Sequence, residues 1–235
     1  FLTVVWNGQW FKWENRNTNF LYGQPDGGPT HDAPQNGYLN RSRVSLDYIP
    51  RDNNHPYRPA IIFRMAEAYL SYAEALNESS ERMSHKQEIL DNLNKIRHRA
   101  GIAEYGTGTD ENGFTRIKIN FSDQKEVRRL IHKERRVEFV GEGVRYHDLR
   151  RWKTAHYGIG NLNEQGENPD WGVNGPDYGM NYYGTEYTDQ GDNAFFKRTK
   201  YMDRVYPRKF YWYPIHQSEI DKDPTLVQGP FWLGE

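Results

Sequence analysis

The sequence predicts a mainly α-helical protein: a tetratricopeptide-like helical repeat scaffold with long, irregular, aromatic-rich loops and a small β-hairpin near the N-terminus. Three observations lead to this prediction. Apolar residues recur at helical spacing between residues 60 and 153, and an Asn-Gly pair separates two short apolar runs near the start. Aromatic residues make up 15% of a chain whose mean hydropathy is only −1.01. Because disordered chains are hydrophilic but poor in aromatic residues, this chain is expected to fold.

Residues 1–59 are predicted to form the hairpin and loops. Residues 3–6 favour a strand, Asn7-Gly8 is typical of a two-residue hairpin turn, and residues 9–13 supply the returning strand. Residues 24–37 are expected to be loop because Gly and Pro residues lie close together there: Pro25, Gly27, Gly28 and Pro29.

Residues 60–153 are predicted to be the helical core. The first helix should end near Asn77, and a second should begin with Ser84 as its N-cap and stop at Gly101. One apolar stripe of the first helix is expected to face inward: Met65, Tyr69, Tyr72, Ala73 and Leu76. The inward face of the second is expected to hold Ile89, Leu93, Ile96 and Ala100.

A third helix should start near Ser122 or Asp123 and run to about Gly141, followed by a short fourth helix over residues 145–152. In the third helix Val127, Leu130 and Ile131 are expected to face inward. Alternating helices of this kind resemble a tetratricopeptide solenoid, although no clean repeat of about 34 residues is present.

Residues 154–235 are predicted to be loops and a closing C-terminal segment. Residues 154–205 have little periodicity, and a loop of this length in a folded domain is typically functional or disordered. Its many aromatic residues argue against disorder. A short helix is expected to start at Ser218-Glu219.

The net charge and the amino-acid composition exclude several classes of function. The formal net charge is −1, so no overall field favours nucleic acid, and the absence of Cys removes disulfides and thiolate metal sites. No apolar run is long enough to cross a bilayer, and the eight His residues lack zinc-site spacing. We predict no cofactor. Asp177, Asp189 and Asp192 leave open a calcium site, although solvated acidic residues are the simpler interpretation. The chain begins without Met, which we interpret as a piece of a longer protein.

Glu134 and Glu138 lie four residues apart in a densely charged segment. Two carboxylates at a defined separation could act as the acid and base of a glycoside hydrolase. The favoured interpretation is a structural layer of ion pairs with the neighbouring Arg135, Arg136, Arg145, Arg150 and Arg151. Acidic residues interleaved with these cations also argue against nucleic-acid binding.

Aromatic residues are the best candidates for a binding site. Rings can pack on the apolar C–H face of a sugar while amides and carboxylates bond its hydroxyl groups. Two sets of rings are predicted to do so: Trp6, Trp10 and Trp13 near the hairpin, and Trp171, Tyr178, Tyr182, Tyr183 and Tyr187 in the long loop. The alternative is that these rings are buried in small hydrophobic clusters that pin the loops to the helices.

Four ordered segments carry a family resemblance: IIFRMAEAYLSYAEALNE at 61–78, LNKIRHRAG at 93–101, ERRVEFVGEGVRYHDLRRWK at 134–153, and YPIHQSEI at 213–220 with GPFW at 229–232. Together they resemble the C-terminal half of SusD/RagB-type proteins, and residues 1–235 are interpreted as one such domain.

The resemblance implies a surface-exposed outer-membrane lipoprotein of Bacteroidetes. Such proteins capture glycans, or in some members peptides, and act as a lid on a TonB-dependent (SusC-like) transporter in polysaccharide utilisation. They are not enzymes. The resemblance also implies that the N-terminal half, with its lipidated Cys, lies outside this sequence. The motif residues are scaffold in this family, so it assigns them no binding role.

Overall fold

The computed structural model describes residues 4–5, 10–11, 15–31, 33–34, 37, 39–40, 57, 61–158 and 172–233. The chain divides into two units. A helical unit comprises Tyr57–His147 with Glu164–Asn168, and a loop unit comprises Phe1–Pro56, Asp148–Asn163 and Pro169–Glu235.

The helical unit is built around three helices. These are α1 (Met65–Glu78), α2 (Lys86–Ala100) and α3 (Gln124–Glu138), and α1 packs against both of the others. A fourth helix, α4 (Val144–Arg151), follows along the chain. The helices share one apolar core: Ala66, Leu70, Ala73, Leu76, Ile89, Leu90, Leu93, Ile96, Tyr105, Phe121, Val127, Ile131 and Phe139.

The inward stripe predicted for α1 is partly wrong. Met65 and Tyr72 are 58% and 47% exposed, whereas Ala66 and Leu70 are buried. Apolar residues occur on most sides of α1, so two stripes rotated relative to each other fit the periodicity. The structure uses the stripe that contains Ala66 and Ala73, because small residues let neighbouring helices approach closely.

The ends of α2 and α3 test the predicted caps. Gly101 adopts the left-handed conformation (φ 67°) after α2, and the Asp123 carboxylate accepts from the backbone N–H groups of Lys125 and Glu126 at 2.9 and 3.2 Å. Both predictions are confirmed. Ser84 is not an N-cap: its hydroxyl donates to the Glu81 carbonyl at 2.8 Å, so it closes the preceding turn.

The α3 helix ends at Glu138, three residues before the predicted end near Gly141. Gly141 and Gly143 have positive φ (78° and 81°) and form the turn that leads to α4. These two glycines therefore belong to the connection and not to the helix.

In the described parts of the loop unit there are three two-stranded antiparallel ribbons. Strand β1 (Val4–Val5) pairs with β4 (Leu39–Asn40), and β2 (Trp10–Phe11) pairs with β3 (Arg16–Asn17). The predicted hairpin through Asn7-Gly8 is therefore wrong in its pairing. The chain returns from β2 through Asn15, which has φ 52° and is a residue type that tolerates this conformation.

The third ribbon pairs β5 (Gly175–Gly179) with β6 (Thr199–Arg204), in a region that was expected to be irregular. Gly, Pro and charged residues weaken any alternating pattern in these strands. The closing segment adds a 3₁₀ turn at Arg208–Tyr211 and a fifth helix, α5 (Gln217–Lys222), which begins one residue before the predicted start. Among the described residues, no helix combines the length and apolar character required to cross a bilayer.

Candidate functional site

A group of aromatic side chains in the loop unit lies on two segments that are far apart in sequence. Residues 15–31 and residues 181–196 are joined where the Tyr22 N–H donates to the Gly184 carbonyl at 2.8 Å, and where the Tyr187 hydroxyl donates to the Asn19 side chain. We call the rings on these two segments the tyrosine surface: Tyr22, Tyr182, Tyr183, Tyr187 and Phe196.

Three rings of the tyrosine surface pack on one another. Tyr182 and Tyr183 meet edge to face, with centroids 5.1 Å apart and planes at 90°. Tyr22 lies 6.1 Å from Tyr182 and 5.6 Å from Tyr183. Tyr183 remains 69% exposed, so it presents an aromatic face to solvent while its neighbours fix its orientation.

Tyr187 is fixed from two directions. Its hydroxyl bonds to Asn19, and its ring lies 5.9 Å from those of both Phe195 and Phe196. Phe195 is buried, whereas Phe196 is 44% exposed. At this end of the tyrosine surface, exposed rings therefore pack directly on a buried ring.

An ion pair holds the first segment in shape. The Arg16 guanidinium donates twice to the Asp26 carboxylate, at 2.6 and 2.9 Å, and the Asn19 N–H donates to the same carboxylate at 2.8 Å. Burial by itself would raise the pKa of Asp26, but the bonds from Arg16 and Asn19 outweigh it and lower the pKa below its ordinary value. Asp26 is therefore ionised at neutral pH and braces the loop that carries Tyr22.

A buried amide organises the second segment. The Asn181 side chain donates to the carbonyls of Asp192 and Ala194, both at 3.1 Å, and accepts from the Tyr183 N–H at 3.1 Å. Gly184 permits the close approach of this turn, because an added Cβ would lie 2.4 Å from the Phe195 Cα. These contacts set the backbone that presents Tyr183.

Tyr178 lies elsewhere, on β5, and no described contact joins it to the tyrosine surface. The Arg198 guanidinium covers one face of its ring, 3.9 Å from the centroid. The second predicted set is thus only partly brought together: Tyr182, Tyr183 and Tyr187 share a surface, and Tyr178 does not belong to it.

The tryptophans remain predictions. Trp6, Trp13 and Trp171 lie outside the described residues, and for Trp10 only the backbone, in β2, is described. Sequence reasoning missed Tyr22 and Asn19 as partners of the predicted tyrosines. The sequence feature that could have identified them is the position of an aromatic residue and an amide directly before a Gly- and Pro-rich turn. That segment was interpreted only as loop.

Glu134 and Glu138 are confirmed as parts of a structural ion-pair layer, and arginines outside the predicted set take part in it. Glu134 bonds to Arg97 of α2 and accepts from the Tyr105 hydroxyl at 2.8 Å. Burial, followed by the charge of Glu134, raises the pKa of Tyr105 well above its usual range, so this hydroxyl keeps its proton.

Glu138 bonds to Arg64, which precedes α1, and to Arg99 of α2 at 2.6 Å. These described partners lie on elements other than α3, so the bonds join separate parts of the helical unit. Carboxylates already occupied by guanidinium groups are poorly placed to act as a catalytic acid and base, which removes the hydrolase interpretation.

The three aspartates that left open a calcium site are not gathered. Asp177 pairs with Arg204, and Asp192 pairs with Lys197 at 3.1 Å. Within the part of the chain that the structure describes, no group of three or more acidic or His side chains could hold a metal ion.

Comparisons with known proteins agree with the helical scaffold. The family model for the SusD family matches residues 2–232. Two SusD-like proteins of Formosa agariphila, P25 and P38, are each 32% identical, over 109 and 103 residues. These matches cover 46% and 44% of this chain but only 18% and 19% of the relatives, so the chain corresponds to a small part of their length.

A solved structure of a SusD-like protein from Bacteroides fragilis NCTC 9343 superimposes with a TM-score of 0.65 at 25% identity, covering 97% of this chain and 37% of that one. The mainly helical, tetratricopeptide-like fold predicted from the sequence is confirmed by this likeness. With a family model that matches nearly every residue, the chain belongs to the SusD family.

Proposed function

We propose that this protein captures an oligosaccharide on its tyrosine surface, as part of a cell-surface system that delivers glycans to a TonB-dependent outer-membrane transporter. Membership of the SusD family supports a role in glycan binding and nutrient uptake in general. The observation that carries the proposal is the exposed ring of Tyr183, held in a fixed cluster by Tyr22 and Tyr182.

The chemistry of the surface suits a sugar. A pyranose presents C–H groups on one face, which pack on an aromatic ring, and hydroxyl groups at its edge, which need hydrogen-bond partners. The tyrosine hydroxyls and the side chain of Gln24, which accepts from Asn19 at 3.3 Å, offer such partners beside the rings. The Arg16–Asp26 ion pair orders the first segment, and the hydrogen bonds of the Asn181 side chain order the second. Little conformational entropy is therefore lost when a glycan binds.

The proposal involves no catalytic step, as expected for a family of binding proteins. We place the protein at the cell surface, anchored to the outer membrane by lipid through a residue outside this sequence. A SusC-like transporter is its proposed protein partner, and contacts with it are expected to include parts of the whole protein that lie beyond these residues.

A panel of neutral oligosaccharides tests the proposal by isothermal titration calorimetry, with a reducing-end assay on the same mixtures. We expect saturable binding of at least one neutral glycan without release of reducing ends. Release of reducing ends would show an enzyme instead. Binding of unstructured peptides, with no glycan bound, would favour the peptide-binding alternative.

The partner proposal has its own test. Photo-crosslinking from a residue of α5 or from Tyr183, in cells that express the whole protein, should yield an adduct with a TonB-dependent transporter. Adducts restricted to unrelated membrane proteins would contradict delivery to such a transporter while leaving glycan capture intact.

A further inference from the structure

The helical unit contains a groove of about 910 Å³ beside α2, and none of the residues predicted to bind ligand contributes to it. One wall is α2, and the other is the connection over residues 104–121 that leads to α3. A volume of this size is in the range of small-molecule sites. Every described residue that lines it belongs to the helical unit, so the groove is separate from the tyrosine surface.

The walls of the groove are rigid. Phe121 and Leu90 are buried members of the core and form an apolar part of the lining. The opposite wall is tied to α2 by Asn94, whose side chain donates to the Tyr105 carbonyl at 2.9 Å and accepts from the Tyr105 N–H at 2.8 Å. A ligand would therefore meet a preformed surface.

Three lysines face this groove without a carboxylate partner among the described residues: Lys86, Lys95 and Lys118. The Lys86 ammonium lies 5.2 Å from the centre of the Phe121 ring. The Lys95 ammonium lies 4.5 Å from the centre of the Tyr69 ring. Each ammonium therefore rests on an aromatic face, and both side chains are exposed and can move away from the ring.

The three carboxylates that line the groove differ in the partners that they bond. Glu104 accepts from Arg116 at 2.8 and 3.2 Å, and Asp91 accepts from Gln87 at 2.8 Å. Glu111 is exposed at the edge of the groove. Because Arg116 and Glu104 neutralise each other, the lining keeps three lysines against two carboxylates, Asp91 and Glu111, and carries a net positive charge.

We propose that this groove binds an acidic sugar, a uronate-containing oligosaccharide. A uronate has one group for each of two features of the groove: its carboxylate matches the lysines, and its C–H face matches the half-buried ring of Tyr69. Binding moves the Lys95 ammonium from the Tyr69 ring to the carboxylate and leaves that ring to the sugar. The site functions independently of the tyrosine surface.

The experiment is calorimetric titration with trigalacturonate and with its methyl ester, which is the same sugar without charge. We expect trigalacturonate to bind at least about tenfold more tightly, with an affinity that falls as NaCl is raised, because exposed charges are screened by salt. Equal affinity for the acid and the ester, or no binding of the acid, would overturn the proposal.

Variants locate the site. The single variants Lys86→Gln and Lys95→Gln should each weaken trigalacturonate binding about threefold or more. Lys133→Gln, which also removes one charge but from an exposed lysine of α3 outside the groove, should leave binding unchanged. Equal losses in all three variants would show attraction by net charge alone and contradict the site. Tyr183→Ala should not alter this titration, so failure here is distinguishable from failure of glycan capture on the tyrosine surface.

Discussion

Arg97 on α2 donates to the carboxylate of Glu134 on α3, 37 residues further along the chain, and both side chains are nearly buried, at 10% and 7% exposed. Two charges removed from water in this way depend on each other, because each would be costly alone. The pair therefore ties α2 to α3 through electrostatics as well as through the shared apolar core.

Replacing Glu134 with Gln should strongly destabilise the protein. The amide can still accept from the Tyr105 hydroxyl, but it leaves the Arg97 charge without its anion, and loss of one partner of a buried pair typically costs about 3–5 kcal/mol. Urea unfolding, followed by circular dichroism, measures the loss in the free energy of unfolding. Glu81→Gln is the control, since that side chain is 78% exposed and should change stability by less than about 0.5 kcal/mol.

Two helix-start residues should respond differently to truncation. Asp123→Ala removes the acceptor of two backbone N–H groups at the start of α3 and should lower the free energy of unfolding by about 1 kcal/mol. Ser84→Ala should cost only a few tenths of that, because Ser84 does not cap α2. Thermal melts of both variants check the difference, and a larger loss for Ser84→Ala would contradict the helix start described here.

The rings of the loop unit should contribute unequally to glycan affinity. Tyr183→Ala removes the exposed ring of the cluster, and loss of one stacking ring should weaken binding of a neutral glycan by about tenfold, or 1.4 kcal/mol. Tyr178→Ala should have little effect, because that ring lies on β5 with Arg198 on one face.

Calorimetric titration of both variants with the same glycan measures these affinities. A loss confined to Tyr178→Ala would refute the tyrosine surface as the binding site. Unchanged affinity in both variants would point to the tryptophans predicted from the sequence, Trp6, Trp10, Trp13 and Trp171.

Glycan affinity should also decrease in acid through Asp26. Because its pKa is lower in the folded protein than the ordinary 3.8, the stability it contributes is fully present above that value and is lost as pH falls through the folded pKa. Asp26→Asn lacks the ion pair with Arg16, so its affinity should be weaker than wild type at neutral pH and should change less as the solution is acidified.

The measurement is affinity between pH 7 and pH 3, with the melting temperature recorded at each point so that global unfolding is recognised. Asp189→Asn, an exposed change on the second segment, is the matched control and should follow the wild-type curve. Identical curves for Asp26→Asn and wild type would show that the Arg16–Asp26 pair does not support the site.

Local patterns predicted the helices well because the signals that start and stop a helix lie within a few residues of its ends. Gly101 and Asp123 are examples, and the inward faces of α2 and α3 follow from the spacing of Ile89, Leu93 and Val127. Ala100, which was predicted on the inward face of α2, is exposed at the last turn of the helix. In α1 the spacing did not identify the inward face, because apolar residues occur on both sides of the buried stripe and each set matches the helical period equally well.

Relationships between distant residues could not be predicted. The Asn7-Gly8 signal is local, whereas β1 pairs with a strand about 35 residues away. The ion-pair layer includes Arg64, Arg97 and Arg99, which no spacing rule connects with α3. Composition alone pointed to Tyr182 and Tyr183, and only the fold shows that Tyr22 completes their cluster.

The bond between Asn19 and Tyr187 spans 168 residues, so the proposed binding surface is assembled from two segments that flank the helical unit in sequence. A contact of such long range closes a very large loop and becomes possible only after both segments have been synthesised. The helical unit between the two segments must therefore leave the ribosome before the rings can meet. A fragment that keeps the helical motifs but lacks either flank would still look like a family member by sequence, yet it would carry no tyrosine surface to display.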